Sequence, residues 1–97
     1  MRLLAPEDFE PWVGRKVRVN TPPKPVEVTL ERIERRPPLP SELDFRQPFS
    51  LFFESEFDVY LLDTAYEFDC GRGGPYSFVI SQLVPSKTRR YYQAVFA

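Results

Sequence analysis

From Pro48 to Tyr60 the chain reads P-F-S-L-F-F-E-S-E-F-D-V-Y, and its apolar and polar positions alternate. Phe49, Leu51 and Phe53 fall on one face, with Ser50, Phe52 and Glu54 on the other, as a strand with one buried face requires. Lys16 to Asn20, K-V-R-V-N, alternates in the same way, with Val17 and Val19 inward. Val26, Val28 and Leu30 then alternate with Glu27, Thr29 and Glu31, but Ile33 breaks the parity by one. A β-bulge near Glu31 or Arg32 restores the face and bends the strand, as small barrels need. A helix over L-E-R-I-E-R-R, with Leu30 and Ile33 three apart, is the alternative; the strand is preferred. Tyr66 and Phe68 alternate with Glu67 and Asp69, and C-G-R-G-G-P separates them from a strand over Tyr76 to Val84, the pattern of a hairpin. Tyr91 to Phe96 forms the last strand.

Between these runs the chain is punctuated. Pro6 to Gly14, P-E-D-F-E-P-W-V-G, has proline at the start, acids in the first turn and glycine at the stop, the asymmetry of a short helix. Pro11 limits it to about two turns and favours 3₁₀ geometry, with Phe9, Trp12 and Val13 on one side. Thr21 to Pro25, T-P-P-K-P, is a loop, because proline supplies no ladder donor. Arg36 to Gln47 is a proline-rich excursion with Leu39, Leu43 and Phe45 as anchors; its P-P-L-P run suits a spacer better than a polyproline II ligand. Phe57 to Thr64 is a connection, and Pro85 to Arg90 a turn.

Six strands and one short helix in 97 residues predict a single all-β domain over residues 1–97: a small, partly open barrel or compact sandwich with the helix plugging one end. Fifteen Phe, Tyr and Trp residues fill such a core quickly, since each ring buries roughly 150–250 Å². Phe49, Leu51, Phe53, Phe78, Ile80 and Phe96 are the expected core. Cys70 is the only cysteine, so no internal disulfide forms and a cytoplasmic setting is expected. M-R-L-L-A-P-E-D lacks the apolar stretch of a signal peptide, and no apolar run approaches a membrane span.

The order F-x-x-x-x-G at Phe9 to Gly14, P-F-S-L-F-F at Pro48 to Phe53, Tyr66, L-V-P at Leu83 to Pro85 and Y-x-A-V-F at Tyr92 to Phe96 resembles a family of small bacterial domains of unknown function, nearly end to end. The acidic and apolar E-S-E-F-D-V-Y-L-L-D stretch departs from the glycine or proline turn usual there. The resemblance implies a β-rich domain without an assigned reaction, sometimes met beside phage-tail-like components. It carries over no catalytic residue.

The chain has no histidine, which removes the usual general base near pH 7 and the commonest metal ligand. The acids Glu54, Glu56, Asp58, Asp63, Glu67 and Asp69 lack calcium-loop spacing and fit a solvated strand row better than a catalytic pair. Cys70 beside Arg72 lacks a base, and G-R-G-G lacks the lysine and hydroxyl residue of a phosphate loop. No catalytic residue, metal or cofactor is therefore expected.

Net charge is only −1, yet charge comes in blocks: eight basic and five acidic residues from Arg15 to Arg46, six acidic and no basic from Glu54 to Asp69, four basic and no acidic from Gly71 onward. Either neighbouring strands neutralise one another in a ladder, the preferred outcome, or opposed patches steer a partner. The function expected is a non-enzymatic interaction or assembly module that docks a protein or a second copy, with Glu54, Glu56, Arg89 and Arg90 as contacts. The alternative is a small-ligand or single-stranded nucleic-acid binder stacking its ligand on Phe52, Tyr76, Tyr91 or Tyr92. The six-acid segment disfavours a nucleic-acid backbone.

Overall fold

The computed structural model describes residues 4–37 and 48–96. Leu39, Leu43, Phe45 and the proline run beyond Pro37 lie outside the described residues. Seven strands form one antiparallel sheet: β1 (Lys16–Val19), β2 (Val26–Arg35), β3 (Phe49–Glu56), β4 (Ala65–Asp69), β5 (Tyr76–Val79), β6 (Ser81–Gln82) and β7 (Arg89–Phe96). Their order is β5-β4-β1-β2-β3-β7-β6. The expected strand over Tyr76 to Val84 divides at Ile80, and the division closes the sheet. Its first half pairs with β4 at one edge, Phe68 opposite Tyr76 and Ala65 opposite Val79; its second half pairs with β7 at the other, Ser81 opposite Gln93. One stretch of chain thus covers both edges, leaving a nearly closed barrel without a long free edge.

The parity break in β2 is a bulge. Leu30 pairs with Phe53 and Arg32 with Phe52, so Glu31 is the extra residue. Leu30 is fully buried and Ile33 half-buried on the core side; the strand, not the helix, is formed. β3 and β7 pair over their whole length, from Phe49 opposite Phe96 to Glu56 opposite Arg89.

The N-terminal segment makes two 3₁₀ turns, Pro6–Asp8 and Glu10–Trp12, with a proline in the first positions of each. They carry Phe9 and Trp12 into the barrel end, both fully buried. Phe9 is the hub of an aromatic cluster, its ring within 5.1–6.0 Å of Trp12, Phe49, Tyr76, Phe78 and Phe96. Val13, expected beside them, is exposed because the chain is already extended there and forms a bridge to Leu30. Phe49 stacks on Phe96 at 4.5 Å and Phe68 on Phe78 at 4.2 Å. All six expected core residues are buried, joined by Val17, Val19, Val28, Leu30, Phe68 and Tyr92. Arg36 ties the base of the excursion: it donates to Ser50 Oγ at 2.7 Å and to the Phe96 carbonyl at 3.1 Å, and its N–H to the Pro48 carbonyl at 2.9 Å.

Candidate functional site

The charge blocks meet across strands. Because β3 and β7 are antiparallel, the acids of one lie beside the bases of the other, and Arg89 donates to Glu54 Oε1 at 2.7 Å. Arg18 of β1 pairs with Asp69 of β4 at 3.1 Å, and Asn20 donates to Glu67 at 2.5 Å. The ladder outcome therefore describes these pairs, each of them partly exposed and worth little alone. Of the four expected contact residues, Glu54 and Arg89 engage each other. Glu56 is exposed at the end of β3 and forms no ion pair among the described residues.

Arg90 leads to the connection after β3. Its Nε donates to the Phe57 carbonyl at 2.6 Å, and its guanidinium covers the rings of Phe57 and Tyr60 at 4.3 and 4.9 Å. Phe57 to Thr64 has no ladder of its own apart from turn contacts, so its peptide groups need other partners. Side chains supply them. The Tyr92 hydroxyl accepts from the Leu61 N–H at 3.0 Å and donates to the Val59 carbonyl at 2.8 Å. The Tyr66 hydroxyl accepts from the Leu62 N–H at 3.0 Å, and Gln82 Nε2 donates to the Leu61 carbonyl at 2.9 Å. The Gln82 N–H reaches Asp63 Oδ1 at 2.9 Å, and the Ile80 N–H the Thr64 carbonyl at 3.1 Å. Leu61 turns into the core, whereas Phe57, Tyr60 and Leu62 remain 43%, 58% and 59% exposed. The loop has a fixed backbone and an apolar outer surface.

Beside it, the Thr21 to Lys24 turn is pinned by Thr21, whose Oγ1 donates to the Lys24 carbonyl at 2.7 Å. The two loops enclose a groove of about 830 Å³ lined by Pro22, Pro23, Asp58, Tyr60, Leu62 and Tyr66 among others. A second, more polar groove of about 500 Å³ lies between β1 and β3, with Lys16, Arg18, Glu54, Glu56, Asp58 and Arg89 around it. A third, of about 590 Å³ and mostly apolar, is formed by Arg32, Phe52, Leu83, Val84 and Tyr91.

The four aromatic residues expected to stack a ligand part company. Phe52 and Tyr91 share the third groove, but the Arg32 guanidinium already lies 4.1 Å from the Phe52 ring centre. Arg32 is itself held by Glu34 and Glu31, and its hydrogen bond to Glu34, with the charge of both acids, raises its pKa. Tyr76 packs against Trp12 and Phe9 at the plugged end. Tyr92 is a core residue, 1% exposed, and burial pushes its phenol pKa up. Burial likewise pushes the Cys70 thiol up, over the opposing pull of Arg72 and Arg15. The neighbouring cation does not prevail, and Cys70 is the half-buried strand-end residue expected, its Sγ 3.6 Å from the Lys16 carbonyl. Among the described residues no three Cys, Asp or Glu side chains gather into a metal-holding group.

Sequence comparison covers the barrel from end to end: residues 4–96 match the family described as a domain of unknown function, DUF6916. The chain belongs to this family. The match runs from the plug to the end of β7, so the domain's whole closure and both pinned loops fall inside it. No curated protein and no solved structure matches the chain. No helix among the described residues is long and apolar enough to cross a membrane.

The pinned loop is the feature that strand periodicity did not reveal. Its signal was present in the departure of E-S-E-F-D-V-Y-L-L-D from a plain turn, with five large apolar residues where a connection is ordinarily polar.

Proposed function

We propose that this domain is a non-enzymatic docking module whose contact surface is the Phe57 to Thr64 loop. One observation carries this: the loop backbone is tied down by Tyr92, Tyr66, Gln82 and Arg90 while Phe57, Tyr60 and Leu62 stay in solvent. A loop held in this way suits recognition, because order established on folding is not lost again on binding. Exposed aromatic and aliphatic anchors surrounded by polar residues are the make-up of an interface centre. Glu56 and Asp58 supply an acidic rim, and Arg90 acts through the loop as a positioning residue. The partner is a protein with a complementary apolar surface. The family resemblance makes assembly beside phage-tail-like components its natural setting, and the single reduced Cys70 suits the cytoplasm.

Comparative pull-downs test this. Partners retained by the wild-type chain should be lost on Tyr60→Asp and Leu62→Asp, whose side chains leave the core untouched, and kept on Val95→Asp, exposed elsewhere on β7. Retention by all three variants would remove the loop from the interface.

A second reading rests on the Phe52–Tyr91 groove, whose size lies within the range of small-ligand sites. Titration with oligonucleotides at low and high salt separates it, since phosphate contacts weaken steeply as salt rises.

A further inference from the structure

Beyond a generic docking surface, though resting on that reading, we infer that the groove between the Pro22–Pro23 turn and the Tyr60–Leu62 loop binds an extended proline-rich segment of a partner protein that carries a basic residue. The groove walls are the chemistry such segments use. Two tyrosine rings, two pyrrolidine rings and Leu62 offer flat apolar surfaces against which a polyproline II helix lays its own rings, at low ordering cost because that helix is already stiff.

A polyproline II backbone leaves its carbonyls free, so the receiving groove has to offer donors. Tyr60 is more than half exposed, with its ring held against the Arg90 guanidinium. The Tyr66 hydroxyl accepts the Leu62 N–H and so keeps its own proton for a further bond. Both walls are set in advance, one by Thr21 and the other by Tyr92, Tyr66 and Gln82.

Charge chooses the flanking residue. Asp58 lines the groove and forms no ion pair among the described residues, and the similarly unpaired Glu56 precedes it. A partner arginine or lysine satisfies this acid. Lys24 lies on the other loop, so the two charges also give the bound segment a direction.

The arginines that open the chain's own proline run are already engaged. Arg36 is committed to Ser50 and the Phe96 carbonyl, and Arg35 to Glu10 and Glu7. Arg36, where that run begins, is held at the Phe49 end of β3, whereas the groove lies beyond Glu56, seven residue steps along the strand, or about 23 Å at roughly 3.3 Å per residue.

The test is a titration of the ¹⁵N-labelled full chain with a synthetic P-x-x-P peptide ending in arginine, beside one with its prolines replaced by alanine and one with glutamate for the arginine. Amide shifts should move over Thr21 to Val26 and Val59 to Tyr66 with the first peptide and vanish with the alanine control. Tyr60→Ala should weaken binding roughly tenfold, with its melting temperature unchanged, and Asp58→Asn should abolish the preference for arginine over glutamate. No shift at millimolar peptide, or shifts centred on Phe52 and Tyr91, would overturn the inference. Concentration-dependent self-association through the same residues would overturn it in favour of a second copy. Peptide silence combined with partner capture that still depends on Leu62 removes only the proline-rich ligand and leaves the docking module standing.

Discussion

Phe9 does more for this fold than its place in a seven-residue plug suggests. Five other rings lie within 6.0 Å of it, so its removal opens a cavity that neighbours on three strands border. Phe9→Ala should cost about 3–5 kcal/mol in urea unfolding, and a loss below 1 kcal/mol would mean the plug is dispensable. Gly74 carries a different constraint. Both Gly74 and Gly71 have positive φ, near +76° and +77°, but a Cβ at Gly74 would come within 3.2 Å of the Tyr76 backbone nitrogen, whereas one at Gly71 meets nothing within 4 Å. Each alanine substitution should cost about 1–2 kcal/mol from backbone strain, with Gly74→Ala the larger. Equal losses would show that the approach of Tyr76 is unimportant.

The loop from Phe57 to Thr64 tests whether an element without a ladder can be as rigid as a strand. Leu61 and Leu62 should exchange their amide hydrogens slowly, with protection close to that of β3, although Leu62 projects into water. Tyr92→Phe keeps the ring in the core but strands the Val59 carbonyl and the Leu61 N–H, which should cost about 1–3 kcal/mol and accelerate exchange at Leu61 first. Its pH signature has a definite sign. Burial raises the phenol pKa of the folded state above the ordinary value of about 10, so the protonated form stabilises the fold fully below that pH. The contribution is lost as pH climbs from there through the raised folded value. In Tyr92→Phe the alkaline decline in stability should be shallower than in the wild type. An identical decline would assign it to other groups.

The molecule as a whole is closed by one late segment. β5 and β6 together join β4 to β7, strands that begin 24 residues apart in sequence, so neither half of the sheet is complete until Tyr76 to Gln82 is in place. Unfolding should therefore be all-or-none. Fluorescence of Trp12, the one tryptophan, reports the plugged end and far-UV circular dichroism reports the sheet. The two transitions should coincide, and separate midpoints would show the plug melting independently.

Alternation along a strand is a local property, and the sequence alone therefore determined the all-β class, the inward faces of Val17, Val19, Phe49, Leu51 and Phe53, the bulge beside Arg32 and the proline-bounded loops. It also limited the chemistry, since residue types absent from a chain are absent from every fold of it. Partnership across the barrel is not local. That Arg89 neutralises Glu54, that Tyr92 turns from a surface ring into the anchor of a distant loop, and that Ile80 divides a strand between two edges depend on antiparallel register and closure. Only the tertiary structure brings residues 20 to 60 positions apart within hydrogen-bonding distance, and so only it decided which charges were spent in pairs and which apolar side chains were left exposed.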